Sequence, residues 1–157
     1  MKVIKQVLAI VFLGCSWWSF ADDGLIQMTS MHDVDTTMSR LEKVLVARGM
    51  TIFTKIDHAQ GARSVGNTLP ETQVLLFGNP KIGTPLMLCQ PGIAIDLPQK
   101  MLVWQGSNGE TQLAYNDPMY LAQRHGFGET NPCYPILEKV SIALANFTEI
   151  ATGLSDL

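Results

Sequence analysis

The sequence predicts an α+β fold, a mostly antiparallel sheet of about five strands with two main helices packed on one face. Three observations carry this. The elements run strand, helix, several strands with hairpin character, then a long terminal helix. The strict strand–helix–strand alternation that builds a doubly wound parallel sheet is missing. Gly106-Ser107-Asn108-Gly109 separates two strand-like runs, and an Asn-Gly pair in that setting marks a hairpin.

Each element has its own local reason. A strand is expected over residues 24–28. A helix follows over residues 34–48, because Val34, Met38, Leu41 and Leu45 recur at spacings of four, three and four and so line one helical face. Asp33 or Asp35 caps its start, and Arg48 and Gly49 mark its end. Residues 51–57 (TIFTKID) are β-branched and aromatic, and residues 73–78 (QVLLFG) have a continuous apolar centre that Asn79-Pro80 breaks. Thr84 and Pro85 suggest a short helix over 84–89. A brief strand is expected at 93–97, closed by Pro98, and two hairpin strands at 100–105 and 110–115. A helical turn or two follows at 119–124. The last helix, residues 135–152, places Ile136, Val140, Ala143, Leu144 and Phe147 on its core side.

The first 21 residues read as a secretory leader. Lys2 and Lys5 precede a short apolar run from Val7 to Leu13, and Ser19-Phe20-Ala21 offers small residues at a cleavage site. That run is shorter than the roughly 20 residues needed to span a bilayer. Cleavage after Ala21 leaves one domain, residues 22–157, and the expected location is the periplasm. The alternative is lipoprotein processing at Cys15, where Leu13-Gly14-Cys15 resembles the end of a lipobox. Lys2 and Lys5 are the leader's only charges, so 11 Lys+Arg fall to 9 against 14 Asp+Glu, a formal charge of −5. With no basic run, nucleic acid is a poor partner, and no later segment is long enough to span a membrane. Cys89 and Cys133 remain, either as a disulfide or as two buried thiols.

Four blocks, GMTIFTKIDHAQGA at 49–62, FGNPKIGTPLM at 77–87, AIDLPQKMLVW at 94–104 and LAYNDPMYLAQRHG at 113–126, together resemble the family known as domain of unknown function 302. The resemblance runs from about residue 33 to 152. It implies a β-α-β4-α fold similar to the TATA-box-binding-protein class, with a curved antiparallel sheet and a helix pair against it. It implies no activity, and a fold shared with a DNA-binding protein carries no promise of DNA binding.

Asp57 and His58 end a strand, with Arg63 five residues on; a carboxylate beside an imidazole suits general-base chemistry, or simply bonds to turn backbone. Asn116 ends another strand, and Arg124-His125 follow the next short helix. These residues form one ligand site if the two groups converge on one edge. Locally, Asp117-Pro118 is accounted for as a helix start. Residues 77–84 (FGNPKIGT) carry two glycines and a lysine but match no phosphate-loop spacing, and read as a tight turn. His58, His125, Cys89 and Cys133 lack zinc-motif spacing, so no metal and no other cofactor is expected. No nucleophile elbow occurs. The reading is a non-catalytic domain that binds a small molecule or a protein, with a homodimer as one form it can take. The alternative is an enzyme of unassigned reaction using Asp57/His58 and Arg124/His125, and a redox role for Cys89 and Cys133 is a third idea.

Overall fold

The computed structural model describes residues 24–156. The leader and its two processing alternatives lie outside the described residues. The chain runs β1 (Leu25–Thr29), α1 (Val34–Ala47), β2 (Thr51–Asp57), α2 (His58–Ser64), β3 (Thr72–Gly78), α3 (Pro80–Cys89), a 3-10 segment (Pro91–Asp96), β4 (Gln99–Gln105), β5 (Thr111–Asn116), α4 (Pro118–Arg124) and α5 (Tyr134–Thr152). The five strands form one antiparallel sheet in the order β1-β5-β4-β3-β2. The expected α+β architecture is what the chain adopts, with short helices inserted into the main β-α-β4-α path.

Side chains alternate across a strand, so one set from each strand faces the helices. Leu75, Phe77, Met101, Val103, Leu113 and Tyr115 supply that face. Val34, Met38, Leu41, Val44 and Leu45 from α1, and Leu144, Phe147, Ile150 and Ala151 from α5, close over it. Asp33 caps α1 by accepting from the Thr36 backbone N–H at 2.7 Å. Arg40 crosses from α1 to donate twice to the Ile150 carbonyl near the end of α5, at 2.7 and 3.1 Å. One cation thus serves a carbonyl in the last turn and ties the two helices together.

Four local expectations are corrected. Residues 93–97 are not a strand. Ile93 and Asp96 are buried while Ile95 is exposed, and a period of three places residues 93 and 96 on one side of a 3-10 helix. Residues 77–84 are not a tight turn: Asn79 caps α3 by accepting from the Lys81 N–H, and Pro80 occupies the first turn. Pro85, which the sequence marks as a helix start, lies inside that helix. Finally, Asp57 ends its strand by capping α2, accepting from the Gln60 N–H at 2.8 Å, in a segment the sequence shows as a turn.

Candidate functional site

The two polar groups singled out from the sequence do not converge. Register places Asp57 opposite Gln73, Gln73 opposite Val103, and Val103 opposite Leu113. Asn116 lies three residues further along β5, across three strand spacings, which puts it about 17 Å from Asp57. Asp57 is engaged as the cap of α2, and Arg63 approaches it at 3.9 Å on the surface. His58 is the first residue of α2. Asp117, as expected, caps α4 by accepting from the Met119 N–H at 2.9 Å.

Arg124 and His125 instead meet Asp96, a residue the sequence did not single out. The Asp96 carboxylate accepts from His125 Nε2 at 2.6 Å and faces Arg124 Nη1 at 3.4 Å. The Asp96 and His125 side chains are only 10% and 11% exposed. A carboxylate only accepts, so the imidazole N–H donates. Gln90 adds a bond from its Nε2 to the His125 carbonyl at 3.2 Å. The cluster fastens the 3-10 segment to the end of α4. A second fastening is covalent: Cys89, at the end of α3, is bonded to Cys133, at the start of α5, with Cα atoms 6.5 Å apart. Both cysteines left open by the sequence are therefore spent in one disulfide. Among the described residues no group of three or more His, Cys, Asp or Glu side chains is placed to hold a metal.

These two fastenings hold one wall of a cleft of about 680 Å³. α3 contributes Pro80, Ile82, Leu86 and Met87, and the segment after it contributes Ala94, Leu97 and Pro98. α5 forms the facing wall with Ile136, Val140, Ala143 and Phe147, and Met50, Phe53 and Phe77 come from the sheet side. A β-bulge between Ile52 and Thr54 takes Phe53 out of the ladder. Its ring lies over Gly78, where an added Cβ would stand 3.3 Å from Phe53 Cε2. Glycine there lets the aromatic ring approach the strand.

Polar side chains in the lining are few: Asn79, Thr84, Gln99 and Lys139. Asn79 is committed, accepting from Lys81 N at 2.9 Å and donating to the Gly49 carbonyl at 3.1 Å. Among the described residues Lys139 is the sole charged one in the lining, which has no acid, histidine or cysteine. The Asp96–His125 pair joins the 3-10 segment to the end of α4 and is not among the residues that line the cleft, while Ala94 and Leu97 are. Sequence reasoning missed the cleft because Ile136, Val140 and Ala143 read as core. They are half-buried and line it, while Leu137 and Ile150 are buried in the core and do not.

The family described as Domain of unknown function DUF302 matches residues 26–147. Two relatives share 42% identity over 110 residues: Fluoride-specific ion channel FluC 1 of Brucella suis biovar 1 and FluC 1 of Brucella abortus biovar 1. The match covers 70% of this chain but only 43% and 41% of those proteins, so the chain spans less than half the length of the curated relatives it matches. A solved structure, an uncharacterized conserved DUF302 protein from Bacillus stearothermophilus, superposes with a TM-score of 0.73 at 18% identity, over 82% of this chain and 98% of that one. At that identity the likeness concerns the fold.

Proposed function

We propose that this chain, which belongs to the domain-of-unknown-function family DUF302, is a non-catalytic binding domain that holds a small apolar molecule between α3 and α5. The observation that carries the reading is the cleft itself. Its volume of about 680 Å³ falls in the range of small-molecule sites. Among the described residues its walls bring no acid, imidazole or thiol to a bound molecule, only the Thr84 hydroxyl, two amides and the Lys139 ammonium, so they supply mainly contact area. The disulfide and the Asp96 cluster fix the α3 wall, which suits a preformed pocket over one ordered only on binding.

Within this proposal the domain acts as an accessory module outside the cytoplasm. The leader-like N-terminus and a disulfide both fit an oxidising compartment. The relatives named as fluoride-specific ion channels devote under half their length to the matching region, which fits a module that serves other machinery. Among the described residues no helix is long and apolar enough to cross a membrane.

A catalytic reading has one observation in its favour, the short Asp96–His125 contact. That pair is nearly enclosed and does not line the cleft, which suits a brace better than a base that must reach a substrate proton.

The test is a titration with N-phenyl-1-naphthylamine, a neutral fluorophore that brightens in apolar surroundings. The wild-type protein should saturate at one probe per chain. Ala143→Trp, which fills the cleft from α5, should weaken binding at least tenfold with an unchanged circular dichroism spectrum. Non-saturable brightening, or equal binding by both proteins, would overturn the proposal.

A further inference from the structure

Resting on the cleft as a ligand site, we infer that its ligand is a single-chain anionic amphiphile, an alkyl carboxylate, with its tail between α3 and α5 and its head at Lys139. The tail follows from the apolar walls. The head follows from the placement of one cation. Ile136, Lys139, Val140 and Ala143 recur along α5 at three- and four-residue spacings, so Lys139 belongs to the same helical face that lines the cleft. It is exposed, so its stem lies along the apolar wall while the ammonium reaches water at the mouth.

The other cations near acids are already engaged: Lys55 with Glu42, Arg63 with Asp57, and Arg124 with Asp96. Lys139 makes no ion pair with any described residue. With no acid in the lining, a cationic head would meet only Lys139, and a neutral molecule would leave it unused. The chain as a whole is negative, with a formal charge of −3, so attraction for an anion must be local.

The experiment measures affinities of decanoate, decanol and decyltrimethylammonium by calorimetry for the wild type, Lys139→Gln and Lys139→Glu. Exposure of Lys139 makes both variants fold-neutral, which a thermal melt checks. A partly exposed ion pair predicts a loss of about three- to fivefold in decanoate affinity for Lys139→Gln, with decanol unchanged. Lys139→Glu should lose more for decanoate and gain for decyltrimethylammonium. Equal losses for decanoate and decanol, or no effect of either variant, would overturn the head-group assignment and leave the cleft as a binding site. Failure of all three probes to bind would overturn both.

Discussion

Replacing both bonded cysteines, Cys89→Ala with Cys133→Ala, should remove about 4 kcal/mol of stability. The bridge joins residues 44 apart in sequence, and the chain-entropy relation assigns that value to a loop of this length. Cys133 is nearly buried and Cys89 exposed, so truncation itself adds little beyond the loss of the cross-link. Against a usual domain stability of about 5–15 kcal/mol this is a large share. For a domain of this size it corresponds to a melting temperature lower by about 12–20 °C. Urea unfolding followed by circular dichroism gives the free energy, and the urea slope should rise because the unfolded chain expands. The bridge also anchors the α3 wall, so amide exchange should speed up over residues 80–98 more than in the β3–β4 ladder. A double variant within 1 kcal/mol of the wild type, with unchanged exchange over 80–98, would show that the bridge anchors neither the fold nor the α3 wall.

Asp96→Ala strands the nearly buried imidazole of His125 and should cost about 1.5–3 kcal/mol in the same urea assay; a cost below about 0.5 kcal/mol would show that the cluster braces nothing. Burial pushes the Tyr115 phenol up from its ordinary value of 10.0, and the Asp117 and Glu149 charges push the same way. Its contribution to stability is therefore fully present below pH 10 and lost as pH rises through the raised folded value; an absorbance titration should show a late component that Tyr115→Phe removes. Hydrogen bonds from the Thr36 side chain and backbone hold the Asp33 carboxyl below 3.8, and His32 adds to the effect. That cap stabilises above the unfolded value and is lost as pH falls through the lowered folded one, so Asp33→Ala should lower the melting temperature at pH 7 and converge with the wild type in strong acid.

The parts of the fold legible in the sequence are those governed by short-range periodicity. The Val34-Met38-Leu41-Leu45 spacing defines α1, and the Asn108-Gly109 turn defines the β4–β5 hairpin, because each depends on neighbours within one or two turns. Residues 93–97 show the limit. Their alternation of apolar residues suits a strand, yet Ile93 and Asp96 are buried at a spacing of three, and only tertiary contact with α4 selects the helical turn. Arg124 and His125 were visible as candidates, but their partner Asp96 was hidden inside an expected strand. The cleft was the least legible feature. A half-buried Val140 that lines a cavity and a buried Leu137 that fills the core carry the same hydrophobic signature, and only the position of α3 separates them.

Whether the α3–α5 cleft receives an apolar molecule can be read from an amide-shift map of the ¹⁵N-labelled protein titrated with decanol. A ligand in the cleft gives saturable shifts confined to residues 50–53, 77–87, 94–99 and 136–147, the segments that wall it. Shifts spread over β1 and α2, or none at all at saturating decanol, would contradict binding there.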